Sequence, residues 1–460
     1  MALRILIRGA GDLATGVAAE LKERGYQIVM TEIAVPLTVR RQVACSRAVY
    51  EGKAVIEGHT ALLVSNENEA EAALQKNQIA VLMDPAGEIR TKMHFDVIVD
   101  AIMAKKNLGT SMTDGPCVIA LGPGFTAGYD CHAVIETKRG LTLGQPIYEG
   151  RAIPNTGVPG MVGGYAIERL IKASADGIME PVAEIGDVVR KGDLLAVTGG
   201  YPVYAQIDGI IRGMLQTGVE VTKGMKIGDV DPRMEPSLVH MISDKARKIG
   251  RGVAQAIRTI LFSQYGMVFL AAGSSRRYGE AQENKLLAEK NGKPMFRYLL
   301  DQMEVFSMCT RTVVSRIPQI LDYAQGHGML TTENTEPEKG IALSLKMGIE
   351  TCRKQNPQLQ GILFAVCDQP GLKAETIEQM LELAVKNPEK IICAGTKDYL
   401  GNPVLLDKQY FRELLELEGD TGGKQVVKKH LDQFIEVVYG WMQSDRTYTI
   451  RLGIGMLMRY

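Results

Sequence analysis

The residues best suited to chemistry lie in one short stretch beyond the middle of the chain, LAAGSSRRYGEAQENKLL at 270–287. The stretch follows an apolar run that predicts a β-strand, so its Gly-Ser-Ser turn would lie at a strand end. Main-chain N–H groups of such a turn can wrap a triphosphate. Arg277 and Lys285 would then neutralise charge on the α-phosphate and the departing pyrophosphate. Arginines on a loop are otherwise commonly just solvated, and the combination with Leu-Ala-Ala-Gly favours a catalytic loop.

The strand end and the turn are together predicted to bind the nucleotide. The residues concerned are Leu270, Ala271, Ala272, Gly273, Ser274 and Ser275. An acidic residue at the end of another predicted buried strand is the next candidate, in GILFAVCDQPGL at 361–372. Asp368 at the end of that strand is placed to hold Mg²⁺ against phosphates, or to cap the helix that begins after Lys373. Cys367 beside it is predicted to be a core residue.

Three further segments are predicted to contact the nucleotide or its acceptor. Their residues are Gly340 and Ser344, Gly401 and Pro403, and Gly419 and Asp420. The Gly-Asn-Pro segment precedes a predicted strand and would shape the pocket for the base or the acceptor. The Gly-Asp-Thr-Gly-Gly segment would offer main-chain amides to an anion, or would serve only as an ordinary helix cap.

Strands and helices alternate from residue 264 onward, which predicts a mostly parallel α/β sheet that places these segments at strand ends. The expected strands lie near 267–271, 311–315, 361–366, 389–394 and 402–406, and the expected helices near 295–305, 340–353, 373–386 and 422–430.

A second glycine-rich turn lies at the start of the chain, where residues 2–34 predict strand, turn, helix and strand. Amides after Gly9 and Gly11 would hold a phosphate at the helix start, and Glu32 would bind a ribose, as in Rossmann-like folds. Alternatively, the glycines only let the helix pack close to the sheet.

The middle of the chain contains two copies of the pattern G-x-x-V-x-K-G-x-x-[LI], within 184–200 and 216–233. They are similar to the barrel-sandwich hybrid of biotinyl and lipoyl carriers. Lys226 follows the second Lys-Gly turn and not the hairpin that carries a modified lysine, so a structural module is favoured. The predicted organisation is a Rossmann-like region at 1–170, a β module at 171–236, a helical connection at 237–263 and a nucleotidyltransferase domain at 264–460.

Composition excludes several classes of protein. The chain has 460 residues, a formal net charge of +0 and 45% hydrophobic residues, so no bulk electrostatic attraction to nucleic acid or to anionic membranes is expected. Its seven cysteines are scattered without a Cys-x-x-Cys pair, which favours a reducing cytoplasm. Neither a signal peptide nor a membrane span is predicted.

Together, LAAGSSRR-x-G…KLL, CDQP, GNP and GDTGG resemble the cytidylyltransferase branch of the MobA-like nucleotidyltransferases, over residues 264–440. The resemblance implies transfer of CMP from CTP to molybdopterin with Mg²⁺ and release of pyrophosphate. It also implies that Gly273, Arg277 and Lys285 hold the CTP phosphates, and that Asp368 holds the metal. Because LAAG alone marks the wider superfamily, GTP or another acceptor remains the alternative.

The first 260 residues are similar to the YqeB family, which is linked to maturation of selenium-dependent molybdenum hydroxylases. The segments that carry this resemblance are IRGAGDLATGVA, AKKNLGT, LGPGFTAGYDCHAVIETKRG, NTGVPG, KIGDVDPR and ISDKAR. The resemblance implies a hydroxylase apoprotein as partner and names no reaction. A maturation protein that binds cofactor without turning it over is therefore the alternative from another class.

Two departures from the nucleotidyltransferase pattern stand out. Five residues separate Gly279 from Lys285, more than is usual in the family. The family closes with an acidic Asp-x-Asp-Thr-Pro-like segment that supplies a second metal ligand, whereas the tail at 440–460 has Asp445 as its only acid. Codons compatible with 446–460 allow such an acidic segment in a shifted frame, which predicts that the tail is a frameshift product lacking that ligand.

Overall fold

A computed structural model describes residues 2–155, 157, 160–273, 284–396, 399–438 and 449–452. The chain divides into two compact units, Ala2–Arg258 and Thr259–Tyr460. Each unit has its own sheet, so the protein is a multidomain α/β protein. In the described part of the chain, no helix combines the length and the apolar character needed to cross a membrane.

The N-terminal unit is built on a nine-stranded sheet. Its strands are β1 Arg4–Arg8, β2 Gln27–Glu32, β3 Lys53–Ile56, β4 His59–Val64, β5 Ile79–Met83, β6 Val97–Asp100, β7 Val118–Leu121, β8 Ala133–Ile135 and β9 Pro146–Ile147. The order across the sheet is β3-β4-β5-β2-β1-β6-β7-β8-β9, and only the two edge pairs, β3 with β4 and β8 with β9, are antiparallel. The central strands are short apolar runs, as expected for strands covered on both faces.

Three helices accompany this sheet: α1 Asp12–Lys22, α2 Arg47–Glu51 and α3 Glu67–Gln75. The first strand, helix and second strand fall where the sequence predicts them, with α1 ending at Lys22 and β2 at Glu32. After β1 the chain moves to β2 on one side, and it later returns to β6 on the other side of β1. Such a reversal opens a crevice at the carboxyl ends of the strands.

The two sequence repeats fold as a module of two four-stranded antiparallel sheets. The strands are β10 Leu170–Lys172, β11 Gly177–Pro181, β12 Val188–Val189, β13 Leu194–Thr198, β14 Tyr201–Tyr204, β15 Gly209–Met214, β16 Glu220–Val221 and β17 Lys226–Asp231. The Lys-Gly turns join corresponding strands in the two copies, so that β13 begins at Leu194 and β17 at Lys226. Leu195 and Ile227 occupy equivalent repeat positions and are both fully buried in the core of the module.

The helical connection predicted at 237–263, which its apolar spacing led us to expect as one helix, is two helices, α4 Ser237–His240 and α5 Asp244–Phe262. Met241 has an extended backbone that ends α4. The hydroxyl of Ser243 then accepts the N–H of Ala246 and caps the start of α5. A local cap therefore overrides the continuous apolar spacing from which one helix was predicted.

The C-terminal unit contains the second large sheet. Its strands are β18 Tyr265–Ala271, β19 Glu289–Lys290, β20 Lys293–Pro294, β21 Thr310–Ser315, β22 Leu330–Glu333, β23 Gly361–Val366, β24 Ile391–Thr396, β25 Tyr399–Asp407, β26 Phe434–Val438 and β27 Thr449–Leu452. Its helices are α6 Met295–Gln302, α7 Pro318–Gly326, α8 Ile341–Gln355, α9 Ala374–Lys386, α10 Phe411–Glu416 and α11 Lys424–Lys429.

Eight of these strands form one sheet in the order β22-β21-β18-β23-β25-β24-β26-β27. Six of the eight strands run in the same direction, as expected for a mostly parallel sheet, but β25 runs antiparallel to both β23 and β24, and β27 runs antiparallel to β26. Local sequence does not encode the direction of β25, which depends on the strands that it pairs with. The sheet is therefore mixed, with four parallel strands on one side of β25.

Close contact between α1 and α5 gives a test of packing in the N-terminal unit. A Cβ at Gly16 would lie 2.4 Å from the Cβ of Ala246 and 2.8 Å from its carbonyl carbon. Gly16→Ala should therefore lower the free energy of unfolding by about 1–3 kcal/mol through overpacking, although alanine favours a free helix.

The control is Gly326→Ala in α7, where an added Cβ meets nothing within 4 Å. This change should be neutral or stabilise by up to about 1 kcal/mol. Urea titration followed by circular dichroism measures both variants. Equal effects of the two changes would contradict the packing argument.

Candidate functional site

Lys285 and Asp368 meet at the carboxyl ends of the central strands in the sheet of the C-terminal unit. The Nζ of Lys285 donates to Oδ2 of Asp368 at 3.1 Å, and the two side chains are 39% and 41% exposed. A half-exposed ion pair contributes little to stability. The pair therefore leaves a cation and a carboxylate within reach of a ligand at these strand ends.

The strands explain why these residues meet. β18 and β23 run parallel in register, with Leu270 opposite Val366, and the N–H of Cys367 continues the pairing to the carbonyl of Leu270 at 3.1 Å. The chain then leaves β23 directly into Asp368. On the other side of β18, the hydroxyl of Ser315 donates to the carbonyl of Ala271 at 3.0 Å. Both neighbours thus fix the end of β18.

The loop from this strand is described only at its two ends. Ala271 and Ala272 are buried and Gly273 is exposed. Ser274, Ser275 and Arg277 lie within 274–283, outside the described residues, so their predicted roles stay predictions. At the far end of the loop, the carbonyl of Asn284 accepts the N–H of Leu287, and its side-chain oxygen accepts the N–H of Leu286. This turn sets the position of Lys285.

The chemistry at Asp368 fits a cation bound with help from a nucleotide. Among the described residues, no group of three or more His, Cys, Asp or Glu side chains could hold a metal. Mg²⁺ commonly takes one or two carboxylates, with substrate phosphates and waters completing its shell. Neighbouring Cys367 is 1% exposed and burial raises the pKa of its thiol, which agrees with a core role.

Two of the predicted glycine segments lie against each other. A Cβ on Gly340 would lie 2.2 Å from both the carbonyl carbon and the oxygen of Gly419, and 2.5 Å from the nitrogen of Asp420. The carbonyl of Gly419 also accepts the N–H of Ala342 in the first turn of α8. The structure therefore brings the Gly-Asp-Thr-Gly-Gly segment to the start of α8.

Ser344 has a structural partner. It is 4% exposed, and its hydroxyl accepts a hydrogen bond from Nδ2 of Asn334 at 2.9 Å. Asn334 is fully buried, and its Oδ1 accepts the N–H of Glu336. The hydroxyl expected to contact a nucleotide is thus engaged inside the unit, where it satisfies a buried amide.

Gly401 and Pro403 lie within β25 and not before a strand as predicted. The pairing of β24 with β25 shifts register between Cys393 and Gly395. A strand can accommodate a proline at such an irregularity. Val404 pairs with Phe364 of β23, so the Gly-Asn-Pro segment passes the end of the strand that leads to Asp368. This places it beside the candidate site.

In the N-terminal unit, the carboxylate of Glu32 stabilises the glycine turn by accepting main-chain hydrogen bonds. Its Oε2 accepts the N–H of Ala10 and its Oε1 that of Ile33, both at 2.9 Å. Gly9 has φ +98°, and a Cβ there would lie 2.8 Å from the carbonyl oxygen of Ala101. Only glycine fits this junction between the ends of β1 and β6.

A pocket of about 580 Å³ opens beside this turn. The predicted residues Gly9, Gly11 and Glu32 line it. Sequence reasoning did not assign three basic residues to this pocket, namely Arg40, Lys105 and Lys226. Arg40 and Lys226 lie far from the glycine turn in sequence, and only the KK pair in the AKKNLGT segment gave a local signal for Lys105.

Another glycine-rich turn, which follows β7 and contains Gly122 and Gly124, packs beside this pocket. A Cβ on Gly124 would lie 2.7 Å from the nitrogen of Lys106 and 2.8 Å from the carbonyl carbon of Lys105. Met103 and Lys105 have φ of +62° and +61°, a conformation that costs non-glycine residues about 1–3 kcal/mol and persists only where the surroundings impose it. The turn after β7 therefore packs against the loop that carries Lys105.

Asp100, at the end of β6, stabilises the same loop through hydrogen bonds. Its Oδ2 accepts the hydroxyl of Thr110 at 2.6 Å, and its Oδ1 accepts the N–H of Ile102. The guanidinium of Arg8 also donates to Thr110, and all three side chains are buried. Asp100 is thus part of a buried network that holds this loop in place.

Residues 267–434 match the family described as "MobA-like NTP transferase domain". A "Probable molybdenum cofactor guanylyltransferase" of Pyrococcus horikoshii is 30% identical over 156 residues, which is 33% of this chain and 71% of that protein. The "Uncharacterized protein YqeB" of Escherichia coli is 46% identical over 257 residues, 56% of this chain. The chain spans only 48% of YqeB.

Solved structures are also similar to part of the chain. The crystal structure of Rv0371c from Mycobacterium tuberculosis is 20% identical, with a TM-score of 0.32, over 39% of this chain and 89% of that one.

The contact between Gly340 and Gly419 gives the next prediction. Both residues have positive φ, where any side chain is strained, and Gly340 also has ψ 177°, an essentially glycine-only conformation that costs other residues about 1–3 kcal/mol. At Gly340 it also clashes with main-chain atoms, whereas at Gly419 it meets nothing within 4 Å. Gly340→Ala should therefore destabilise the protein more than Gly419→Ala.

The two variants are to be compared by urea titration. Gly340→Ala should lower the free energy of unfolding by at least about 1 kcal/mol more than Gly419→Ala does, which is the scale of overpacking. If Gly419→Ala were equally harmful, the close approach of the two segments would not be the cause.

Proposed function

Because the chain belongs to the MobA-like NTP transferase family, we propose that its C-terminal unit is a molybdenum cofactor cytidylyltransferase. In this reaction an oxygen of the molybdopterin phosphate attacks the α-phosphorus of CTP. The new phosphorus–oxygen bond forms as the bond to the β-phosphate bridging oxygen breaks, and pyrophosphate leaves with that electron pair. The product is molybdopterin cytosine dinucleotide.

The contact between Lys285 and Asp368 carries this proposal. An ammonium group at the strand edge neutralises phosphate charge, and charge stabilisation is the main help that such transfers need. Lys285 is proposed to hold the triphosphate, together with Arg277 and the amides that follow Ala272. A ligand phosphate would compete with Asp368 for Lys285 and free the carboxylate.

Asp368 is proposed to hold Mg²⁺ with the phosphate oxygens of the bound nucleotide. When bound, the cation supplies charge neutralisation on the phosphates and a fixed geometry for them. The carboxylate is accessible enough for this role, since its side chain is 41% exposed.

The acceptor side is proposed to lie at the Gly340 and Gly419 contact. Gly419 and Asp420 lie against the start of α8, where the positive end of the helix dipole favours an anion. Gly401 and Pro403 would bound the base, because their strand passes the end of β23.

Two finer features belong to the same proposal. The N-terminal unit is proposed to be Rossmann-like with a barrel-sandwich-like module. It is also proposed to serve maturation of a selenium-dependent molybdenum hydroxylase in the cytoplasm, as the resemblance of its sequence motifs to the YqeB family implies. GTP is the second candidate nucleotide, because one relative is named a probable guanylyltransferase. A chain that binds nucleotide without turnover is the remaining alternative.

Pyrophosphate release tests the reaction with the full chain, molybdopterin, Mg²⁺ and CTP or GTP. Removal of a group that stabilises transition-state charge costs about 10²–10³-fold in kcat, so Asp368→Ala and Lys285→Ala should each lower turnover on this scale. Asp322→Ala, which removes an exposed carboxylate from α7, is the matched control and should keep full activity.

The nucleotide dependence separates the alternatives. Faster release with CTP than with GTP supports the cytidylyltransferase, and the reverse preference supports the guanylyltransferase. Nucleotide binding without pyrophosphate release from CTP or GTP would contradict both transferase proposals and support the binding protein.

A further inference from the structure

The pocket in the N-terminal unit combines an apolar wall with a small set of charges. Apolar side chains such as Leu13, Leu37 and Ile102 line much of its surface. Its charged members are Asp12, Glu32, Arg40, Lys105 and Lys226. Three basic against two acidic side chains leave one net positive charge, and the start of α1 adds the positive end of its dipole.

Both acids are already engaged by neighbouring groups. Glu32 accepts two main-chain N–H groups, as described above. Oδ1 of Asp12 accepts the N–H of Leu13 at 2.9 Å, and its Oδ2 lies 3.9 Å from the guanidinium of Arg40. The acids are held by the turn and the helix start, and the net positive charge of the lining favours an anionic ligand.

Arg40 is a fixed part of this site. It is 9% exposed, and its guanidinium donates to the carbonyls of Leu238 and Met241 at 3.2 and 2.9 Å. Burial lowers the pKa of Arg40 to about 10, so it stays protonated at neutral pH. A buried cation held in place at a pocket wall favours an anion without the cost of ordering a side chain.

Lys226 reaches the pocket from the β module and is much freer. Its side chain is 47% exposed, with only a loose contact of 4.0 Å to Asp229. At the equivalent position of the first repeat stands Leu194, which likewise begins a strand after a Lys-Gly turn. The fold of the turn therefore does not require a lysine at position 226.

We propose that this pocket binds a phosphorylated ligand of nucleotide size, and that Lys226 supplies a contact to its phosphate. The volume of about 580 Å³ lies in the range of small-molecule sites. The phosphate lies at the start of α1, where the helix dipole favours it, and contacts Lys226 and Lys105, while the apolar wall takes the ring. The β module thus completes a site that begins at the glycine turn.

Lysine acetylation followed by mass spectrometry tests this in the full chain. The probes are AMP, CMP, GMP and inorganic phosphate, each at saturating concentration. At least one nucleotide should slow acetylation of Lys226 and Lys105 by about tenfold, as expected for a site that is nine-tenths occupied. Exposed Lys191, in the Lys-Gly turn of the first repeat, should react at an unchanged rate.

Because each lysine is read separately, nucleotide bound at Lys285 and Asp368 does not obscure the result. Failure of the proposed cytidylyl transfer would leave this readout intact. No protection by any probe overturns the proposal. Protection by inorganic phosphate equal to that by every nucleotide reduces the site to an anion site and overturns the nucleotide-sized ligand.

Lys226→Leu separates binding from folding, because it installs the residue of the first repeat. This variant should unfold at the same urea concentration as the unchanged protein. The nucleotide concentration that half-protects Lys105 should rise about threefold to tenfold, on the scale of one charge-assisted contact to a half-exposed lysine. Lys191→Ala should leave that concentration unchanged, and an equal shift in both variants would contradict a specific role.

Discussion

The parallel alignment of β18 with β23 is the constraint on which the C-terminal unit depends. Leu270 lies opposite Val366, and each strand ends within a few residues of that pair. The chain segments that leave the two strands must therefore begin side by side. A shift of one residue would turn their side chains to the opposite face of the sheet. Fixed register is thus what allows residues 83 positions apart in sequence, Lys285 and Asp368, to form a contact.

A comparable constraint operates in the N-terminal unit through close main-chain approach. β1 and β6 end together, and Gly9 leaves room for the carbonyl of Ala101. Glu32 then closes the turn from the end of β2. Each of the three strand ends contributes to the same crevice, so its shape follows from the backbone before any charged side chain is added.

Local patterns predicted a large part of this structure. β1, α1 and β2 fall where glycine positions and apolar runs place them, because these signals act over a few residues. The break before α5 and the direction of β25 were missed, since one depends on a serine cap and the other on strand pairing. Arg40 and Lys226 were not assigned to the pocket because tertiary structure alone brings them to the glycine turn. Ser344 is the opposite case. It was predicted to contact the nucleotide or its acceptor, whereas its hydroxyl accepts a hydrogen bond from the buried Asn334.

The two Lys-Gly turns of the β module have a consequence for how binding preferences can change. Both copies start a strand at the same relative position, one with Leu194 and the other with Lys226, and both keep a buried aliphatic residue directly after it. The first residue of the strand is therefore mutationally permissive, while the second is constrained by the core. Selection can alter the charge that the module presents without passing through an unfolded intermediate. Under the role proposed for Lys226, ligand preference and fold are independent traits at position 226.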